Sequence, residues 1–413
     1  MAESTVRTED SFVFDPFVEG FTEDPYPQLA RLRASAPVHE NPLGFWVLSR
    51  YDDVSALLRS GHSVEDRNAG PGPMRDLYEA VYGDRGRRMN ALSMLDKDPP
   101  DHTRLRRLVS KAFTPRSVAA LEPRVVALVE EALDRMADAG SDGSIDVVAA
   151  LAFPLPFAVI SQMMGMPDTD HTRLRELTGT LVRSLEPVAD QDVMRAIAAA
   201  DDELAAMARE VIAWKRQHLA DDLLSRLIQA EDDGDVLDDD ELVAQVLLLY
   251  IAGHETTVNL VANGVLALLR NPDQLELLRA DPELAGNAVE ELLRYDSPVQ
   301  MSRRIMLEPY AVGGHDIPAG AFVIASLASA NQDERFWGDD AHRLRLGRPN
   351  ANRHVSFGAG VHHCLGAALA RLEGRIAIGR LVQRFPRMAL DGPVEWNGRI
   401  NLRGPVRLPV RLA

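Results

Sequence analysis

The 413 residues contain one cysteine, Cys364. It ends the run Phe357-Gly358-Ala359-Gly360-Val361-His362-His363-Cys364 and is followed by Leu365-Gly366. Glycines at 358 and 360 permit positive φ and let the backbone come close to a ligand. The next stretch, LGAALARLEGRIAIGRLVQRF, carries a helical pattern, so the sulfur stands at a helix start. Free N–H groups and the positive dipole end at such a start favour thiolate over thiol. A metal bound at sulfur deprotonates it outright. A lone cysteine is ordinarily a small buried hydrophobe. Two glycines, a helix start and adjacent histidines argue here for a ligand instead.

Three further groups have types and spacings that suit chemistry. Ala252-Gly253-His254-Glu255-Thr256-Thr257 falls inside the apolar stretch VAQVLLLYIAGHETTVNLVANGVLALL. Glycine is costly inside a helix, and a threonine can bond back to the i−4 carbonyl and bend it. The segment is therefore expected to interrupt its helix. A carboxylate in apolar surroundings needs a reason; a packing glycine beside a partly exposed glutamate explains the residues equally well. His102 and Arg106, in DPPDHTRLRRL, are four apart and share a helix face, which by itself fits a solvated surface. Glu291 and Arg294 are three apart, an ordinary surface pair if taken alone.

In combination these residues point to one family. FGAGVHHCLG resembles the haem-binding loop of cytochromes P-450, Phe-Gly-x-Gly-x-His-x-Cys-x-Gly, with every fixed position matched. The resemblance implies that Cys364 is the axial thiolate of haem b (iron protoporphyrin IX), donating electron density that favours O–O cleavage. It implies that Phe357 packs on the proximal side of the haem, with Gly358 and Gly366 shaping the loop. AGHETT is similar to the family's oxygen-activation motif, Ala/Gly-Gly-x-Asp/Glu-Thr. By that match Ala252 and Gly253 border the cofactor, and Glu255 and Thr256 are the catalytic pair that delivers protons beside dioxygen. The resemblance assigns His102, Arg106, Arg304 and His362 to the haem propionates, with Arg303 the alternative to Arg304; arginine's planar fork suits a carboxylate. It gives Glu291 and Arg294 a structural role in a buried ion-pair network. His354 is expected to be a turn residue and His363 a surface one.

The elements that must position these residues are mainly helical, with a smaller β portion, in the cytochrome P-450 fold as a single large domain over 1–413. A β-containing N-terminal part covers about 1–60, and a long Gly/Pro-rich loop covers 61–95. The helical core spans about 98–295, strands about 304–330, and the haem loop and following helix about 350–386. The acidic segment Glu231–Glu241 is expected to be a solvated loop whose last acids cap the next helix. With 46% hydrophobic and 26% charged residues, the composition excludes wholesale disorder. A net charge of −17 argues against a general nucleic-acid binder. One cysteine rules out a disulfide framework and suits a reducing, cytoplasmic setting. No signal peptide or membrane span is expected, since the apolar stretch Val147–Ile160 is short and broken by Pro154 and Pro156.

The expected activity is that of a monooxygenase on an apolar small molecule such as a polyketide, terpenoid, steroid or fatty acid. The resemblance implies a pocket drawn from the loop 61–95, the region near 170–200, the face Leu247–Thr256, residues Pro298–Ser302 and the tail near Ile400–Leu402, with Met89, Leu92, Leu248, Val299 and Met301 among its apolar residues. Ferredoxin and ferredoxin reductase, using NAD(P)H, would supply electrons. Glu255 and Thr256 weigh against the alternative of an enzyme fed by hydrogen peroxide; a haem-free helical binding protein is the alternative from another class. Residues 341–380 hold seven arginines against Glu373 alone, and residues 101–116 are similarly basic. These cations, Arg104, Lys111 and Arg371 among them, are expected to form a positive docking face for an acidic ferredoxin.

Overall fold

The computed structural model describes residues 12–65, 68–71, 92–139, 143–166, 171–186, 190–232 and 234–412. Where apolar residues recur at three- and four-residue steps the chain is helical. The longer helices are α1 (Tyr26–Ser35), α2 (Tyr51–Arg59), α3 (Asp101–Ala112), α4 (Glu122–Ala139), α5 (Pro154–Met164) and α6 (His171–Leu181). They continue with α7 (Gln191–Gln217), α8 (Asp239–Arg270), α9 (Pro272–Ala280), α10 (Ala285–Tyr295) and α11 (Ala367–Arg384). A mixed sheet holds β1 (Val38–Glu40), β2 (Phe45–Leu48), β3 (Met301–Ile305) and β4 (Phe322–Ser326) in the order β1-β2-β4-β3. β2 runs parallel to β4, with Val47 opposite Ile324, and β3 is antiparallel to β4, with Arg304 opposite Val323. The architecture is mainly α with a smaller β portion.

Helix α8 is the axis of the molecule. Asp238 caps it: its carboxylate accepts the Glu241 N–H at 2.8 Å, and Glu241 accepts the Asp238 N–H at 3.1 Å. The acidic segment thus ends in the expected cap. Upstream, Glu231–Asp232 and Asp235–Val236 pair as a two-stranded hairpin rather than a plain loop. From Leu242 to Leu268 most residues are buried, because neighbours cover the helix all round. Two glycines set the distance of those neighbours. A β carbon at Gly264 would meet Ile378 Cδ1 at 2.8 Å and Leu292 Cδ1 at 3.2 Å; one at Gly374 would meet Leu260 Cδ2 at 3.1 Å. Helices α8, α10 and α11 therefore pack backbone to side chain around the segment that carries the cysteine.

The pair on α10 is fully buried. Arg294 grips Glu291 with two bonds, at 2.7 and 2.8 Å, and donates to the carbonyls of Asn331, Ala341 and Arg343 at 2.8, 2.7 and 2.9 Å. Arg348 Nε reaches both Glu291 oxygens at 3.1 Å, and the Arg345 N–H donates to Glu291 at 2.9 Å. This network fixes residues 341–348, which lead into the cysteine loop. Among the described residues no helix is long and apolar enough to cross a membrane.

Candidate active site

The cysteine loop owes its shape to its glycines. Gly358 and Gly360 have φ of +67° and +70°. At Gly360 a β carbon would also lie 2.7 Å from the Leu58 carbonyl oxygen, so any side chain there collides with backbone. The Cys364 N–H donates to the Phe357 carbonyl at 2.8 Å and closes the loop. The Cys364 residue is exposed, yet surrounding protein pushes its thiol up. The N–H groups of Gly366 and Ala367, with Arg106 and Arg371, pull the other way without winning. The helix start therefore favours thiolate less than burial opposes it; a cation at sulfur reverses that balance.

Beneath the loop, Phe357 packs against a cluster of Leu260, Val289 and Leu293. The Arg371 guanidinium lies 4.6 Å from its ring centre and grips Glu290 at 2.6 and 3.1 Å. His354 is not merely a turn residue: it is buried, and its Nε2 lies 3.1 Å from Glu290. Burial opposes charge on Glu290, but hydrogen bonds from His354 and Arg371 hold it down to about 2. His363 is exposed, and its carbonyl accepts from Arg106 Nη2 at 2.6 Å.

Above it, four basic residues converge. The rings of His102 and His362 are 4.2 Å apart, and His102 Nδ1 is buried without a hydrogen-bond partner. Burial, then the nearby His102, Arg304 and Arg106, pushes His362 down to about 3. Burial brings Arg304 down to about 10 even with Asp98 nearby. Among the described residues Arg304 donates to neutral acceptors alone: the carbonyls of Leu58 and Arg303 at 3.2 and 2.6 Å and the Ser302 hydroxyl at 3.3 Å. Arg303 turns instead to Asp96, at 3.3 Å. Asp98 is occupied by the Val64 N–H and the Ser63 hydroxyl. Basic groups that disfavour one another's charge, one with an orphaned nitrogen, suit an anionic group with two carboxylates. A haem fits that description, with Cys364 as the donor to its iron.

Helix α8 is continuous through Gly253, contrary to the expected interruption. Thr256 Oγ1 does bond back to the Ala252 carbonyl at 2.7 Å, but the ladder absorbs it. A β carbon at Gly253 would meet Ile160 Cδ1 at 3.6 Å and Cγ1 at 3.8 Å, ordinary contact distances. His254 is buried with its ring 4.5 Å from that of Phe153, on the side away from Ala252 and Thr256. Thr256 lies one turn before Leu260, on the face that reaches Phe357. Glu255 is bound by a residue that sequence reasoning missed: Arg399 Nη1 lies 2.5 Å from its carboxylate. No spacing rule joins residues 144 positions apart.

Of the expected pocket residues, Val299 bridges Leu402, and the Met301 N–H donates to Asn401 at 3.1 Å. Leu248 packs at the edge of the core. The Leu92 carbonyl accepts from Gln245 at 2.9 Å, and Met89 lies outside the described residues. Leu174, Met207, Leu247, Tyr250 and Ile251 bound a small apolar cavity of about 40 Å³ between α6, α7 and α8. The basic segments are less positive than their sequence implies. Arg104 pairs with Asp235 and Glu241, Arg371 with Glu290, Arg375 with Glu122, Arg380 with Glu130, and Arg345 and Arg348 with Asp340.

Comparison with known proteins agrees with this geometry. The pattern of the family described as Cytochrome P450 matches residues 46–392. Cytochrome P450 107B1 of Saccharopolyspora erythraea is 42% identical over 422 residues, covering 99% of each chain. The vitamin D(3) 25-hydroxylase of Pseudonocardia autotrophica is 40% identical over 421 residues, covering 100% of this chain and 99% of its own. Among solved structures, the bacillaene polyketide synthase cytochrome P450 PksS of Bacillus subtilis superposes with a TM-score of 0.86 at 36% identity, covering 97% of this chain and 100% of its own. The chain belongs to the cytochrome P450 family, a monooxygenase that binds haem through the thiolate of its single cysteine, Cys364.

Proposed function

We propose that the protein oxygenates a bulky apolar small molecule of polyketide or steroid type, with electrons delivered by a separate ferredoxin and its NAD(P)H-dependent reductase. The observation that carries the site assignment is the cluster His102, Arg106, Arg304 and His362, two of them buried and two half-buried, none of which forms an ion pair with an acid among the described residues. Arg304 and Arg106 would hold the two propionates as charge-assisted pairs, His102 and His362 would donate to them, and Phe357 would pack against the haem. The bound haem supplies the dioxygen chemistry. Thr256 and Glu255 move protons: the Thr256 hydroxyl donates to the Ala252 carbonyl, which leaves its oxygen able to accept from a relay partner. Apolar walls that include Leu248, Val299 and Met301 exclude water and bind the substrate by burial. The similarity to a vitamin D(3) hydroxylase and to a polyketide synthase cytochrome P450 supports a substrate of steroid or polyketide type.

Spectroscopy and turnover test this reading. Titration with vitamin D3 and with a macrolactone should move the haem-loaded protein toward high spin. Thr256→Ala should then consume NADPH at a similar rate while several-fold more of the electrons leave as hydrogen peroxide. Cys364→Ser should lose the red-shifted Soret band of the reduced carbon monoxide complex. Unchanged coupling in Thr256→Ala would remove Thr256 from the relay.

A further inference from the structure

The tail loop 397–402 is held from two sides. Glu186, just after the turn that follows α6, spreads its carboxylate over three successive backbone N–H groups, those of Ile400, Asn401 and Leu402, each at 2.9 Å. The Asn401 side chain adds a bond to the Leu185 carbonyl at 3.1 Å. On the opposite side the Asn401 carbonyl accepts the Gln300 N–H at 2.8 Å, at the entry to β3. Gly398, with φ of +66°, turns the chain, and Asn397 Oδ1 accepts the Arg399 N–H at 3.0 Å. The Arg399 side chain then leaves the clamped loop and reaches two targets. Nη1 meets Glu255 at 2.5 Å, and Nη2 meets the Gly179 carbonyl of α6 at 3.4 Å. Arg399 and Glu255 are each only 17% exposed. Their pairing is therefore weakly screened, and its geometry depends on how firmly the loop is seated.

We infer that Arg399 is a positioning residue for the Glu255 carboxylate, and that Glu186 sets Arg399 by clamping the backbone that follows it. The inference rests on the proposed proton-delivering role of Glu255. Its consequence is a physical link from the α6 cover to the acid on α8. With α6 and its following turn seated on the tail, the guanidinium holds Glu255 in one orientation. If those contacts are loosened, the carboxylate loses its restraint while the rest of α8 is unchanged.

The test uses the haem-loaded protein with ferredoxin, ferredoxin reductase, NADPH and vitamin D3 as probe. Arg399→Gln should raise the peroxide released per NADPH several-fold and increase the solvent deuterium isotope effect on NADPH consumption about twofold. Arg399→Lys should restore most of both, because it keeps the charge. Combining Arg399→Gln with Glu255→Gln should be no worse than Glu255→Gln alone. Glu186→Gln should speed amide hydrogen exchange at residues 400–402 about tenfold and show the same peroxide leak; exchange is read without turnover. If Glu255→Gln raises peroxide and Arg399→Gln does not, the positioning role is wrong and the proton-delivering role of Glu255 stands. If Glu255→Gln itself changes nothing, that role falls and the inference falls with it. Unchanged exchange in Glu186→Gln would remove the clamp.

Discussion

Glu373, in the middle of α11, is fully buried, and its Oε2 has no hydrogen-bond partner. Burial pushes its carboxyl up to about 8, so it is mostly neutral at pH 7. A carboxyl raised in the fold favours folding below its unfolded value, near 4.5, and loses that contribution as pH climbs through about 8. Glu373→Met keeps a similar volume and removes the buried polar group. Its thermal midpoint should exceed that of the parent, by a margin that grows between about pH 5 and pH 9. A margin that stays flat across that range would mean the carboxyl is solvated. Single residues were legible in the sequence where their chemistry is local. Thr256 and the His102–Arg106 pair stand out only through their match to the family's motifs, since their spacing alone fits an ordinary helix surface, whereas Cys364 also stands out by its glycines and helix start. Arg399 does not, because its role comes from a tail loop brought to α8 by the tertiary fold. The direction of the Cys364 shift was also hidden, since it depends on how much protein surrounds the sulfur.

Among the elements, α8, α10 and α11 form one packed unit around the cysteine loop, and its spacing is set where side chains are missing. Gly374→Val should press on Leu260 and Val289, costing about 1–3 kcal/mol by denaturant unfolding. Because Phe357 packs on the same cluster, this variant should also retain haem less well during gel filtration. A variant as stable and as haem-replete as the parent would show that α11 can shift freely. The helical periods and the Asp238 cap could be read directly from residue patterns. The continuity of α8 could not: Gly253 and Thr256 each weaken a helix in isolation, but the buried contacts on either side outweigh them. The resemblance to the family's Glu-x-x-Arg motif, and not the Glu291–Arg294 spacing itself, anticipated a network. Its outer members Arg345 and Arg348 come from a loop whose path no periodicity encodes.

For the whole molecule, counting charge along the chain overstates the positive face, because acids from α4, α8 and α10 neutralise arginines of α3 and α11. Arg116 and Arg353 are exposed and make no ion pair with an acid among the described residues. Arg116→Glu and Arg353→Glu should slow reduction by ferredoxin several-fold at low salt and leave the vitamin D3 spin shift unchanged, with the difference shrinking above about 0.15 M salt. Arg104→Glu should instead lower thermal stability first, by placing a third acid beside Asp235 and Glu241. Stopped-flow reduction rates and thermal midpoints separate the two outcomes; equal rates in all three variants would place the docking face elsewhere. The mixed sheet carries a different lesson, about time. β2 is the parallel neighbour of β4, and the Tyr51 N–H donates to Asp333 across 282 positions. Closing so long a loop is entropically expensive and slow, whereas the contacts within α8 are local. On the ribosome, Phe45-Trp46-Val47-Leu48 is made long before the strand that completes it. Until that partner arrives, one edge of an apolar strand stands open to other chains, and the yield of native protein depends on how long it must wait.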